Sequence, residues 1–241
     1  MDIREEKLIG NIACKHWYYV SKSRIVEKIL RDTKAREALD VGAGSGIFSR
    51  KLIESGICDQ ASCLDINYDK EWTEKHCGRL LKFIRRIQGT SYDLILMMDV
   101  LEHVGDDITF LHQYAKRLRP GGLILITVPA FQVLWSGHDI FLGHKRRYRL
   151  KQIENLVEEE GLEIICSRYY YGLLFPVFIL IRLWEKFRLR EDRTKAKSAL
   201  KRYPTVINWA LIWLHDLERL FIFPFNKFAG LTIFCLAKKT R

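Results

Sequence analysis

Short apolar runs alternate with helical patterns along most of the chain. Residues 38–41, 94–98 and 123–129 are apolar runs of the length and character of buried parallel strands. Between such runs, apolar side chains recur at the three- and four-residue spacing of amphipathic helices, as at Ile153, Leu156 and Val157. Because strands and helices alternate, the pattern predicts an open, mostly parallel sheet covered by helices on both faces.

A turn rich in glycine joins the first of these strands to the helix that follows. Residues 40–46 read DVGAGSG, with glycine at alternate positions. Glycine permits a tight turn and lets a ligand approach the backbone, while the start of a helix offers free N–H groups. The dinucleotide fingerprint G-x-G-x-x-G would need a glycine at position 47, where the chain has Ile47. The turn on its own is weak evidence, since any tight strand-to-helix turn could use glycine.

Acids at the ends of the next strands add to this evidence. Asp65 follows a second predicted strand, and Asp99 follows the third. A carboxylate at the carboxyl end of the second strand is well placed to accept hydrogen bonds from a ribose diol. The turn and these acids together predict a nucleoside-binding site.

Four motifs, in this order and spacing, resemble class I S-adenosylmethionine-dependent methyltransferases. They are LDVGAGSG (39–46), CLDIN (63–67), YDLILMMDVLEHV (92–104) and LRPGGLILITVP (118–129). The resemblance implies an α/β, Rossmann-like sheet of seven strands whose last strand is antiparallel. Residues 229–239 would be that last strand, pairing with residues 162–171. The implied cofactor is S-adenosylmethionine, and the implied enzyme is a methyltransferase.

The resemblance also implies a set of cofactor-binding residues. The glycine turn would line the methionine part of the cofactor, Asp40 would fix the turn or reach the amino group through water, and Asp65 would hold the ribose hydroxyls. Trp17 would belong to an N-terminal helix over the cleft, although ordinary packing explains it equally well. The full set is Trp17, Asp40, Gly42, Ala43, Gly44, Gly46, Asp65, Ile66, Asp99, Val100 and Leu101.

Residues 129–150 form a long segment at the edge of the sheet where ligands of such folds bind. Segments of this length are usually functional or disordered, and the aromatic content here favours order. We predict His138 or His144 as a general base, because imidazole titrates near neutrality, and Asp139 as the group that orients it. The predicted acceptor-binding residues are Trp135, Arg146, Arg147, Tyr148 and His103.

Alternatives remain open for this segment. Arg146 and Arg147 could hold a phosphate or carboxylate of the acceptor, or the charged residues could only pin the segment to the next helix. His103 could face the site or cap a helix. A zinc or magnesium site at His138, Asp139 and His144 matches no standard spacing, so we predict no metal. Within the family, the segment resembles a subset with an HD…GH.RRY pattern, associated with bacterial envelope and glycan pathways.

Residues 172–228 depart from a minimal methyltransferase. An apolar stretch is followed by a segment, 182–204, with nine Lys or Arg and three acids, and then by an amphipathic helical pattern over residues 205–225. Apolar faces beside a basic stretch are typical of interfacial helices on anionic lipid. We therefore predict a core at 1–171, a helical insert at 172–228 that contacts membrane through residues 172–225, and a final core strand and tail at 229–241. A lid or a dimer interface is the alternative for the insert.

The net charge indicates the class of partner, and the cysteine content indicates the cellular compartment. The 241 residues include 40 Lys and Arg against 29 Asp and Glu, a net charge of +11, which favours an anionic partner. The six cysteines form no Cys-x-x-Cys pair, and residues 1–13 lack a secretory signal, so we predict a cytosolic protein peripheral to the inner membrane.

The sequence thus predicts methyl transfer to a small or lipid-linked, amphipathic acceptor, on oxygen or carbon. One alternative, a nucleic-acid methyltransferase, is suggested by the charge but lacks a base-holding Asn-Pro-Pro-Tyr-like motif. The other is a membrane-bound scaffold on the same fold that has lost its chemistry, which the intact glycines and acids do not favour.

Overall fold

In a computed structural model, the apolar runs lie side by side in one mixed sheet. The structure describes residues 14–87, 91–188 and 203–240. The sheet has eight strands in the order β3-β4-β2-β1-β5-β6-β8-β7. The strands are β1 Ala35–Val41, β2 Cys58–Leu64, β3 Trp72–His76, β4 Arg79–Ile84, β5 Tyr92–Met98, β6 Leu118–Pro129, β7 Leu162–Tyr170 and β8 Thr232–Lys239.

Helices connect the strands and cover the two faces of the sheet. The α-helices are α1 Trp17–Leu30, α2 Ile47–Glu54, α3 Asp107–Ala115, α4 Gly137–Leu142, α5 Leu150–Glu159, α6 Phe175–Arg188 and α7 Thr205–Leu217. Single turns of 3₁₀ helix occur at Leu101–His103, Gln132–Leu134 and Phe223–Phe225, and a π-helical turn, Glu218–Ile222, extends α7. One buried apolar cluster includes Ile25 and Phe48 on one face, and a second includes Leu111 and Val157 on the other. The two-faced α/β architecture is therefore confirmed.

Strand β1 lies in the middle of the sheet, parallel to both β2 and β5. Strand β8 runs antiparallel between β6 and β7, with Cys235 opposite both Ile126 and Ser167. This pairing confirms the prediction that the last strand is antiparallel and lies beside the strand at 162–170. The helices α6 and α7 lie in the chain between β7 and β8.

The sheet has one strand more than the seven that were predicted. Strand β3 forms a hairpin with β4, through a turn in which Cys77 and Gly78 both have positive φ angles, 50° and 76°. Two successive positive φ angles suit a two-residue hairpin turn, in which glycine at the second position carries no penalty. The sequence hides this strand because its side chains are exposed or half-buried rather than apolar.

In helix α3 the N-cap residue follows the sequence pattern, but the end of the helix does not. Asp106 is the N-cap residue, with its side chain accepting a hydrogen bond from the N–H of Thr109, as expected of this residue type. The spacing of Ile108, Leu111, Ala115 and Leu118 predicts four buried positions, but Ile108 is exposed and Leu118 already belongs to β6. The helix ends at Ala115, so the last position of the pattern is a strand residue.

Candidate active site

The glycine turn between β1 and α2 depends on the absence of side chains. Gly42, Gly44 and Gly46 have φ angles of 65°, 56° and 75°, in the region that favours glycine. A Cβ atom at Gly42 would lie 2.9 Å from Cγ2 of Val100, and one at Gly46 would lie 3.0 Å from the Sγ of Cys63. The turn therefore leaves the backbone bare at the N-terminus of α2, where free N–H groups can meet a ligand.

Asp40 is buried directly beneath this turn. Its Oδ2 accepts a hydrogen bond of 2.8 Å from the hydroxyl of Ser49, but Oδ1 has no hydrogen-bond partner among the described residues. The buried hydroxyl of Ser45, in the turn itself, likewise has none there. Buried polar atoms without partners are rare in folded proteins and indicate a place that a ligand or water completes.

Burial raises the pKa of Asp40 from 3.8 to about 6. An acid whose pKa is higher in the folded than in the unfolded state favours folding only while it is protonated, so this contribution is present below pH 4 and is lost as the pH rises through 6. Without cofactor, the difference in free energy of unfolding between wild type and Asp40→Asn should fall by roughly 2 kcal/mol from pH 4 to pH 7. Urea titrations across this range test the expectation, and parallel pH profiles for the two proteins would contradict it.

Asp65 lies across the turn from Asp40, just beyond β2. It is buried, and its carboxylate accepts hydrogen bonds from the N–H groups of Gly44 (3.2 Å) and Asn67 (2.9 Å). The hydroxyl of Tyr68 donates to the carbonyl of Gly44, so the turn is held from both sides. The side chain of Ile66 is 76% exposed, which leaves an apolar surface available beside the acid.

Asp99 lies at the carboxyl end of β5 with a positive φ of 57°, and Val100 and Leu101 follow it into a 3₁₀ turn. Its carboxylate is paired with the ammonium of Lys22 on α1, whose side chain is fully buried, and also accepts a hydrogen bond from Thr127 (3.0 Å). Burial on its own would raise the pKa of Asp99, but the Lys22 ammonium outweighs it and holds this pKa below its usual value.

These features fit S-adenosylmethionine. The bare turn gives a close approach for the methionine part, and the orphan Oδ1 of Asp40 can accept a hydrogen bond there. Asp65 can hold a sugar diol, with Ile66 available to the base. Trp17 stacks on His215 with ring centroids 5.3 Å apart and lines the neighbouring cavity.

The cavity of about 180 Å³ lies between α1, the carboxyl ends of the strands, and helices α4 and α6. At one side it reaches Tyr18 and Asp99. Its residues from the 129–150 segment and the adjacent turn are His103, Pro129, Leu134, Ser136, His138, Leu142, His144 and Arg147, together with Glu102. Of the predicted cofactor-binding residues, Trp17 and Asp99 line this cavity, whereas the glycine turn and Asp65 do not.

Asp139 orients His144 within this cavity. Its Oδ1 lies 2.9 Å from Nδ1 of His144, while both carboxylate oxygens accept hydrogen bonds from the guanidinium of Arg147, at 2.7 and 3.0 Å. Oδ2 also accepts a hydrogen bond from the backbone N–H of Ser136 at the start of α4. Burial would raise the pKa of Asp139, but His144 and Arg147 together hold it far below its usual value. The carboxylate is therefore a fixed negative charge that holds the imidazole.

Glu102, for which the sequence gave no prediction, also lines the cavity. It is fully buried, and Nε2 of His144 lies 3.9 Å from its Oε1. Neither carboxyl oxygen has a hydrogen-bond partner in the described part of the chain. Burial, with the nearby charge of Asp99, raises the pKa of Glu102 well above its usual value. The sequence signal that could have indicated Glu102 was an acidic residue between apolar ones in the motif LEHV.

The donor set for a metal differs from the one considered from sequence. Asp139 is engaged by Arg147 and His144, whereas Glu102, His103 and His144 bring donor atoms within 4.8 Å of one another. Such a set has the residue types that bind zinc, with His and carboxylate donors. The expectation that the site works without metal stays a prediction.

Some of the other predicted site residues line the cavity, and others lie outside it. His138 lines the cavity, and burial chiefly lowers its pKa to about 4, so its imidazole is neutral at pH 7. Arg146 pairs with Asp107 at 3.0 Å, and the buried hydroxyl of Tyr148 donates to the same carboxylate at 2.7 Å. Arg146, Tyr148 and Trp135 lie outside the cavity lining.

The fold and the site together define the class I S-adenosylmethionine-dependent methyltransferases. Residues 15–167 match a family model described as a methyltransferase domain, and the chain belongs to that family. The structure is similar to that of an S-adenosylmethionine-dependent methyltransferase from Archaeoglobus fulgidus, with a TM-score of 0.50 and 16% identity, covering 90% of this chain and 94% of that one. At this identity the likeness speaks for the fold.

Two curated relatives illustrate the range of similar sequences. A probable S-adenosylmethionine-dependent methyltransferase of Mycolicibacterium smegmatis is 22% identical over 168 residues, covering 66% of this chain and 64% of the relative. A ubiquinone biosynthesis O-methyltransferase of Brucella melitensis is 26% identical over 175 residues, covering 61% of this chain and 66% of the relative. The chain thus spans slightly less than two thirds of the length of either relative.

Proposed function

We propose that the protein transfers a methyl group from S-adenosylmethionine to an amphipathic acceptor, small or lipid-linked, at the cytoplasmic face of a membrane. The observation that carries the proposal is a cavity lined both by Asp99, whose neighbour Val100 packs against the glycine turn, and by His144, whose imidazole is held by Asp139. The acceptor atom that suits this imidazole is a hydroxyl oxygen, since a hydroxyl has a proton to lose; an acidic carbon is the second possibility.

S-adenosylmethionine, when bound, supplies a methyl group carried on a positively charged sulfur. His144 accepts the proton of the acceptor hydroxyl at Nε2 while the acceptor oxygen gains the methyl group, so that S-adenosylhomocysteine is the second product. Asp139 holds Nδ1 of the same imidazole and compensates the charge that develops on it. The walls formed by Leu134 and Leu142 exclude water from the reacting atoms.

The proposed membrane contact is supported by the unusual orientation of helix α7. Its polar residues Asn208 and His215 face the protein and are half-buried or buried, while Trp209 and Trp213 are 62% and 66% exposed. A helix on a water-facing surface normally has the opposite arrangement, with its apolar stripe inward. The outward aromatic face of α7 therefore suits an apolar medium rather than water.

Elements next to α7 in the sequence also expose apolar side chains. Leu180 and Trp184 of α6, and Phe221, Phe225 and Phe228 after α7, are also exposed, and the basic segment 182–204 connects the two helices in the sequence. Within the described ranges, no helix is both long and apolar enough to cross a bilayer. In-plane contact with anionic lipid agrees with all of these observations.

Incubation with methyl-labelled S-adenosylmethionine and total membrane lipids tests the proposed activity. We expect label in an extractable amphipathic product. Label in nucleic acid instead would overturn the lipid assignment in favour of the nucleic-acid alternative. Calorimetric titration with S-adenosylhomocysteine tests the alternative of a scaffold without chemistry. A chain that has lost the cofactor site gives no heat of binding.

Vesicle flotation tests the membrane contact. Trp209→Ala combined with Trp213→Ala is expected to weaken binding to anionic vesicles by roughly 10- to 100-fold, since each ring is only partly immersed by an interfacial helix. Ile108→Ala, an exposed apolar position on α3, is the matched control and should float as wild type does. If the wild-type chain stays at the bottom of the gradient, the insert is a lid or an interface between copies and the membrane proposal fails.

A further inference from the structure

Helix α7 is joined to helix α1 by polar contacts, which we call the α1–α7 seam. Asn208 caps the start of α1, since its Oδ1 accepts a hydrogen bond of 2.8 Å from the N–H of Trp17 and its Nδ2 donates one of 2.9 Å to the carbonyl of Lys15. Farther along, Arg24 is paired with Asp216. Lys28 donates to the carbonyl of Arg219 at 2.6 Å.

The opposite side of α1 reaches the cofactor end of the cavity. Tyr18 and Lys22 both contact the carboxylate of Asp99, and Trp17, Tyr18 and Tyr19 line the cavity. A single helix therefore contacts Asp99 on one side and α7 on the other. No covalent or loop connection is needed for the position of α7 to affect the groups around Asp99.

The seam also lies back to back with the proposed membrane face. Asn208 is adjacent in sequence to Trp209, and His215 lies two residues beyond Trp213, so the outer and inner faces of α7 move as one rigid helix. Hydrogen bonds such as those of Asn208 form only at one position and angle, unlike apolar packing. Whatever fixes the outer face of α7 therefore fixes the cap of α1.

We propose that anionic lipid at the outer face of α7 and cofactor at the glycine turn bind cooperatively, with the α1–α7 seam as the connection. The proposal rests on the membrane contact and cofactor site of the proposed function. Lipid contact orders α7 and, through Asn208, α1. Cofactor then binds to a protein in which Tyr18, Lys22 and Asp99 are already held, and the entropy lost on binding is smaller.

Linkage makes this cooperativity quantitative. The factor by which vesicles tighten cofactor binding must equal the factor by which cofactor tightens vesicle binding. We expect a factor of about 10, within the roughly 5- to 150-fold range usual for coupled sites. Calorimetry gives the Kd of S-adenosylhomocysteine for the full chain with and without vesicles of phosphatidylcholine and phosphatidylglycerol. Flotation gives vesicle binding with and without saturating S-adenosylhomocysteine.

Asn208→Ala tests the route, with Thr205→Ala, an exposed position on the same helix, as the matched control. Asn208→Ala should float like wild type, yet its Kd for S-adenosylhomocysteine should change less than about twofold with vesicles, while the Thr205→Ala protein keeps the full factor. Arg24→Met, which removes the ion pair of the seam, serves if Asn208→Ala does not fold.

The outcomes separate this inference from the proposed function. Vesicles that bind without changing the Kd overturn the cooperativity and leave the methyl transfer untouched. An Asn208→Ala protein with the full wild-type factor overturns the seam as its route. Absence of S-adenosylhomocysteine binding under every condition overturns the proposed function itself.

Discussion

Replacing His144 by alanine is expected to lower the rate of methyl transfer by about 10²- to 10⁴-fold, the usual contribution of a general base. The reason is geometric: Asp139 holds Nδ1 of this imidazole at 2.9 Å, which leaves Nε2 beside Glu102 and the cavity. The effect should fall on kcat in the labelled-methyl assay, while the Kd of S-adenosylhomocysteine stays close to that of wild type. The cofactor residues Asp40 and Asp65 lie on other elements and are not touched.

Two further variants sharpen this test. His112→Ala removes an imidazole from the surface of α3, where it pairs with Glu160, and should leave transfer unchanged. His144→Gln fills the space without supplying a base and should be as slow as His144→Ala. Turnover at the wild-type rate in either His144 variant would show that the acceptor loses its proton elsewhere.

Replacing Lys22 by methionine is expected to lower the free energy of unfolding by about 3 kcal/mol. The Lys22 side chain is fully buried, and methionine would leave the Asp99 carboxylate without its counter-charge. The figure lies at the lower end for broken buried pairs because Asp99 is 27% exposed and keeps its hydrogen bond from Thr127. For a chain of this size the melting temperature should fall by roughly 6–12 °C.

A matched control uses the other ion pair of α1. Arg24→Met breaks the pair with Asp216, in which the arginine is 38% exposed, and should cost about 1 kcal/mol or less. Calorimetric melting of the two variants side by side gives the comparison. A Lys22→Met protein that melts no lower than the Arg24→Met protein would mean that Asp99 is solvated well enough to stand alone.

The parts of the structure that the sequence predicted are those encoded by neighbouring residues. The glycine turn could be predicted from residues 40–46, because their positive φ angles require glycine. Asp65 was predictable because the carboxyl ends of adjacent parallel strands meet at one edge of the sheet. The position of β8 in the sheet was predicted from the resemblance to the family, not from the spacing of residues.

The parts that the sequence did not predict depend on contacts between distant residues. Lys22 and Asp99 are 77 positions apart, and nothing in either neighbourhood indicates that a lysine on an N-terminal helix will be fully buried. Glu102 escaped notice because its role comes from the lack of partners, which only a packed structure reveals.

The segment 129–150 shows the same limit in another form. The sequence suggested that Arg147 could hold a phosphate or carboxylate of the acceptor, whereas its guanidinium is bound to both oxygens of Asp139. The arginine correctly predicted an anionic partner. Its spacing did not show that the partner is a carboxylate of the same chain. The roles predicted for His138, His144 and Asp139 stay predictions until the variants are measured.

The position of β8 has a consequence for how the chain folds during synthesis. Strand β7 is hydrogen-bonded to β8 and to no other described strand, and β8 is translated only after both helices of the insert. While residues 172–231 are being made, β7 has no described strand to pair with. Docking of one late strand into the gap between β6 and β7 is thus a slow, long-range step of folding.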